Sequence, residues 1–199
     1  MKRNLAWHFV GATLRDGQPI PAEGEWLEHK GRMVMCESGL HFSRLPHQAL
    51  EYAPGATLCL VEIGGEVIEE KDGDKGICSR RKIIARMDAT DLLRFYARMQ
   101  AVKALEYWDT EPPEVVCDYL MTGDESIRDA ARAAAWDAAR DAAWAAARDA
   151  AWAAARAAAW DAAWDAAMDA AWDAAWDAAR DASNAEFNAL VYEAFADFL

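Results

Sequence analysis

The chain has 199 residues, enough for one ordinary domain and an appendage. Its formal net charge is -13 at pH 7. So acidic a chain argues against direct, non-specific binding to nucleic acid, which needs surplus Lys and Arg, and suits the presentation of carboxylates to a basic partner.

In chain order, residues 5–11 (LAWHFVG) read as a strand, and residues 32–38 (RMVMCES) and 39–43 (GLHFS) as two further short β-type runs. Residues 45–53 (LPHQALEYA) have helical periodicity and stop before the turn signal Pro54-Gly55. Residues 57–63 (TLCLVEI) are the clearest strand, β-rich and apolar. Gly64-Gly65 predicts a turn into EVIEE, residues 71–76 (KDGDKG) a loop, and residues 79–88 (SRRKIIARMD) a further strand. Residues 89–108 predict a helix capped by Thr90 or Asp91, with Leu92, Leu93, Tyr96, Met99 and Val102 along one face. Pro112-Pro113 then opens a short helix, EVVCDYLM. Strands first and helices later predict an α+β domain over residues 1–122.

From residue 128 to residue 181 only Ala, Trp, Arg, Asp and one Met occur, with a large side chain at every fourth position. Ala is the strongest helix former, and no Gly or Pro interrupts the run, so residues 123–183 predict a helical repeat region that Asp124 or Ser126 can cap. One continuous helix of about 55 residues would span roughly 80 Å. Four residues on a 3.6-residue helix advance each large side chain by about 40°, so the stripe circles the axis about once in 36 residues. A straight heptad coiled coil, whose seam needs a 3.5 period, is excluded. Two arrangements remain open. In one, i,i+4 neighbours stack, Trp136 on Arg140 and Trp160 on Trp164. In the other, the helix bends back or packs with copies of itself. Seven bare tryptophans on one helix would be a large apolar surface of the kind that marks an interface. Trp136, Trp144, Trp152, Trp160, Trp164, Trp172 and Trp176 are therefore expected to drive homo-oligomerisation. Residues 184–199 predict a short amphipathic helix.

Cys36, Cys59, Cys78 and Cys117 form no CxxC pair and fit no zinc spacing, and no His pair stands at i,i+4. The loop at Asp72 and Asp74 lacks the other ligands of a calcium site. No cofactor and no metal is expected. The first residues form no secretory signal, and Asp or Arg breaks every long apolar run, so no membrane span and a cytoplasmic location are expected.

Residues 7–11 (WHFVG), 39–43 (GLHFS), 47–53 (HQALEYA) and 58–65 (LCLVEIGG) resemble, in order and spacing, the motifs of ADP-ribosyltransferases of the diphtheria-toxin and poly(ADP-ribose) polymerase type. The resemblance implies a split mixed sheet with a nicotinamide-nucleotide cleft. His8 takes the place of the ribose-binding His, and His41 stands where a Tyr usually stacks on nicotinamide. The chain departs from the pattern where Phe9, not Gly, follows His8. The catalytic Glu of that family has no clear counterpart, with Glu66, Glu69 and Asp88 as candidates. Without that acid, the transfer chemistry loses the group that stabilises the developing charge. The resemblance thus implies a fold kept for binding.

Over nearly its full length the chain also resembles a family of phage and prophage proteins that share LAWHF, ESGLH-S, ALEYAPG and a DYL-TGDES segment before an Ala/Trp/Arg/Asp repeat. That likeness implies a viral or mobile-element origin and a place in an infected or lysogenic bacterial host. The combined expectation is a non-catalytic, counter-defence binding protein. Its ligand-binding candidates are His8, His41, Ser43, Tyr52, Arg80 and Arg81, its ligand a nucleotide-like molecule or its target a host defence protein. The alternatives are an active ADP-ribosyltransferase or NAD glycohydrolase, and a structural or acidic decoy acting through the helix.

Overall fold

The structure, a computed structural model, describes residues 4–70, 73–105, 111–154 and 162–199, the side chains of residues 142–177 excepted. The chain is α+β and forms two compact units, Met1–Leu93 with Asn184–Leu199, and Arg94–Ser183.

The first unit is built on one antiparallel sheet. Its strands are β1 (Leu5–Val10), β2 (Trp26–Glu28), β3 (Leu40–Phe42), β4 (Thr57–Glu69) and β5 (Gly76–Asp88), with the short helix α1 (Pro46–Leu50) after β3. The order runs β1-β4-β5-β2, and β3 also pairs with β5. Just past β3, Ser43 and Trp7 exchange backbone hydrogen bonds of 2.8 and 2.9 Å. The path β1-β4-β5-β3 therefore returns to β1, and the sheet closes on itself. Every pairing among the described residues is antiparallel, whereas the transferase resemblance implied a mixed sheet.

Strand alternation divides the side chains into two layers. Ala6, Val10, Phe42, Cys59, Val61, Ile63, Cys78 and Ile83 pack together inside the ring. Trp7 and Phe9 lie opposite Leu60 and Leu58 on the other face, and all four are buried. Residues 184–199 contribute to this outer layer. Phe187, Val191 and Phe195 recur every four residues on one helical face and are buried. The Phe195 ring meets Trp7 edge-on at 5.1 Å, and Tyr192 lies 5.9 Å from the same indole. Beside them the Asn188 carboxamide oxygen accepts the His47 backbone N–H at 3.0 Å.

Three expectations change. Gly64-Gly65 is no turn: β4 runs through it for thirteen residues, and the irregularity is absorbed as a bulge between Gly64 and Val67. Residues 32–38 form no strand. Val34 and Ser38 make a lone bridge around Cys36 at φ +67°, a tight turn in place of an extended run. The three-residue strand β2 escaped sequence reading because it is too short to display a period.

In the second unit, helix α2 (Thr90–Ala104), which begins within the first unit, is followed by α3 (Glu114–Thr122). At the start of α2 the Asp88 carboxylate accepts the Thr90 N–H at 2.9 Å. Trp108, at the predicted end of that helix, lies outside the described residues. Gly123 closes α3 in the left-handed conformation, φ 70°, as a C-terminal glycine does. Asp124 then accepts the Ser126 N–H at 2.8 Å and turns the chain into the repeat. The repeat is helical in α4 (Arg128–Ala154) and α5 (Ala162–Ala194). The Tyr96 hydroxyl donates to the Ser183 carbonyl at 3.0 Å, so the two ends of this unit meet. The expected short helix of residues 184–199 is the continuation of α5.

Trp136 is 73% exposed. Arg140 pairs with Asp137 at 3.2 Å and does not stack on Trp136, because the carboxylate three residues back lies closer to the charge than the ring does. Trp160 lies outside the described residues, as do the side chains of Trp144, Trp152, Trp164, Trp172 and Trp176.

Candidate functional site

The alternation that buries Trp7 outward turns His8 inward, opposite Cys59. Arg81 stands opposite Ile63 on β5 and also belongs to the interior. It is 7% exposed. Its guanidinium donates to the His41 carbonyl on β3. Among the described residues no carboxylate lies within ion-pair distance of it. The thiols near it, Cys59 and Cys78, are neutral, since burial pushes the first to about 11 and raises the second. Burial lowers Arg81 itself to about 10, which still leaves it charged at neutral pH. A closed apolar sheet thus holds a guanidinium that has five N–H donors and one protein acceptor.

His8 and His41 flank this charge. Burial first, then Arg81 and His41, holds His8 well below the usual histidine range. Burial and then Arg81, Arg15 and Lys75 lower His41, against a hydrogen bond that its ring donates to the Gly39 backbone. Both rings are neutral at pH 7. His8 and Arg81 line a cavity of about 10 Å³ with Val10, Leu14, Pro21, Glu25, Leu27 and Ile83. The segment between β1 and β2 covers it.

Of the six ligand-binding candidates, His8 and Arg81 line this cavity, and His41 meets Arg81 through its backbone carbonyl without lining it. Ser43 is buried but is used in closing the sheet. Tyr52 is not in this cavity. It is 50% exposed, and its hydroxyl donates to Asp74 at 2.6 Å. Arg80 lies on the outer face, 4.6 Å from the Trp26 ring and 3.1 Å from Glu28. None of the three acid candidates lines the cavity. Glu69 pairs with Arg44, Asp88 accepts the Thr90 N–H at the start of α2, and Glu66 sits on the β4 bulge. Glu25 does line it, and sequence reading missed it, because no motif ties a loop carboxylate to a pocket whose other walls come from strands distant in the chain.

Residues 4–95 match the family model "Domain of unknown function (DUF7666)". This span contains His8, His41 and Arg81 and leaves out the repeat. No curated protein and no solved structure matches the chain. Among the described residues no three His, Cys, Asp or Glu side chains gather as a metal site, and no helix is long and apolar enough to cross a membrane.

The depressed histidines give the fold a pH dependence of definite sign. Above pH 6.5 both are neutral in the folded and the unfolded chain. As the pH falls below 6.5 the unfolded chain takes up protons that the folded chain refuses, so stability is lost. His8 alone contributes a slope of up to about 1.4 kcal/mol per pH unit until its folded pKa is reached. Urea unfolding at pH 7.5 and pH 5.5 is expected to give a clearly smaller loss for His8→Asn than for the natural chain. Equal losses would mean that His8 is protonated in the fold.

Proposed function

We propose that the chain is a non-catalytic, phage-type binding protein that acts in counter-defence. Its first unit holds an anionic, nucleotide-like ligand at Arg81, His8 and His41, and its repeat joins copies into an oligomer. One observation carries this reading: Arg81 is a buried charge that forms no ion pair with a carboxylate among the described residues. Such a charge costs several kcal/mol to desolvate, and a ligand oxyanion with bidentate geometry offsets that cost when it binds. The neutral imidazoles of His8 and His41 add polar contacts without adding charge. A phosphate is larger than the cavity, so the segment from Leu14 to Glu25 lifts to admit it. Cleavage chemistry is not favoured, because no candidate acid of the transferase pattern lies at the cavity. Self-association rests on the exposed Trp136 and on the six further tryptophans of the same spacing.

The test is nucleotide depletion. Purified full-length protein is mixed with NAD, ADP-ribose and a panel of cyclic oligonucleotides, and the filtrate is chromatographed before and after the retained protein is heat-denatured. The expected result is a nucleotide that disappears and returns intact. A nucleotide returned as products would make the protein an enzyme, with Glu25 the acid to test first. Depletion of nothing would overturn the ligand site and leave the repeat as the active part. Light scattering on the same sample is expected to give a mass above that of one chain.

A further inference from the structure

β4 is more than twice as long as its partner β1. β1 covers residues 57–62 of it, and the Ile63 N–H goes to the Asn4 carbonyl at 2.8 Å. From residue 64 to residue 69 β4 pairs with β5 alone among the described residues. At the bulge, Gly65 takes φ +71° and the Glu66 N–H turns to the Ser79 hydroxyl at 2.9 Å. A groove of about 480 Å³ lies beside this stretch, lined by Asn4, Arg44, Ile63, Gly64, Gly65, Val67 and Glu69.

Strand edges are blunted by charged side chains, Pro, bulges or shortness. This one carries a bulge and glutamates but neither Lys nor Pro, and its apolar side chains Val67 and Ile68 are 40% and 37% exposed. We infer that residues 64–69 of β4 accept an added strand from a partner protein, an extended segment in which basic and apolar residues alternate. The backbone edge supplies the hydrogen bonds of strand addition, and the groove takes alternate side chains.

Charge selects the occupant. Glu62, Glu66, Glu69 and Glu70 crowd this stretch. Glu62 pairs with Lys82 at 2.7 Å, Glu69 with Arg44 and Glu70 with Lys75 at 3.8 Å. Glu66 has no ion pair among the described residues and stands at the bulge. A Lys or Arg of the incoming strand meets it there. A second copy of the same edge would bring glutamates against glutamates, which destabilises a strand pair.

The test uses the full chain and a fluorescein-labelled octapeptide of alternating Lys and Val, with its Glu and Val counterpart as control. Fluorescence anisotropy is expected to register binding of the first and none of the second. Glu66→Lys is expected to weaken binding by about tenfold. Glu114→Lys, on α3 of the other unit, changes the net charge equally and is expected to leave binding as it is. Val67→Lys places a charge on the edge and is expected to abolish binding without loss of fold, checked by circular dichroism. Three results would overturn the inference: no binding of the Lys and Val peptide, equal weakening by Glu66→Lys and Glu114→Lys, or a dimer that Val67→Lys dissociates. The second would mean non-specific attraction to an acidic protein, the third that the edge belongs to another copy.

Discussion

Arg81→Met is expected to abolish retention of an anionic ligand and to raise the stability of the first unit by about 1–4 kcal/mol. The two effects have one cause. The guanidinium is surrounded by Val61, Ile63, Ile83 and two neutral thiols, and it spends one N–H on the His41 carbonyl. Methionine is a flexible apolar chain of similar reach and fills that space without a desolvation cost. The substitution orphans the His41 carbonyl, which costs about 1–3 kcal/mol and sets the low end of the gain. Urea unfolding and the depletion assay read the two effects on the same preparation. A variant that is less stable by about 3 kcal/mol or more would make Arg81 part of the fold's framework instead of a ligand anchor.

The second large effect concerns the other face of the sheet. Phe195→Ala is expected to destabilise the first unit by about 3–5 kcal/mol, the usual cost of emptying a phenylalanine site in a packed core. Phe195 is buried, meets Trp7 edge-on and follows Phe187 and Val191 on one helix face. Ala at this position leaves a void against the Trp7 indole that helix α5, anchored through Asn188 and His47, cannot close by sliding. Urea unfolding measures the loss. A loss below about 1 kcal/mol would mean that residues 184–199 lie on the first unit without being part of its core.

Much of the first unit was legible from periodicity. The apolar, β-rich runs LAWHFV and TLCLVEI gave β1 and the first half of β4, and helical periodicity in LPHQALEYA gave α1. What was not legible depended on contacts distant in sequence. Gly64-Gly65 reads as a turn from composition, but pairing with Arg80 and Cys78 on β5 holds the strand straight through it. The basic run at Arg80, Arg81 and Lys82 looks like one exposed cluster. Strand alternation turns Arg81 inward while Arg80 and Lys82 lie on the other face against Trp26, at 4.6 and 4.7 Å. His8 and His41 were picked as a pair from a motif resemblance. That His8 shares a cavity wall with Arg81, and that Arg81 reaches the His41 backbone carbonyl, depends on strand pairings distant in sequence, which no local pattern encodes. Tyr52 was misplaced because helical spacing fixes a residue's face and not which partner, here Asp74, claims its hydroxyl.

The unit that opens the chain has a wall supplied by residues 184–199, about 90 residues after Leu93. On a ribosome adding roughly 5–20 residues per second, that wall arrives about 5–20 seconds after the sheet. Through that interval Trp7 lacks the Tyr192 and Phe195 rings that lie against it. The nascent sheet is then a natural client for a chaperone, and any premature stop within the alanine repeat yields a sticky, half-walled fragment instead of a shorter working protein.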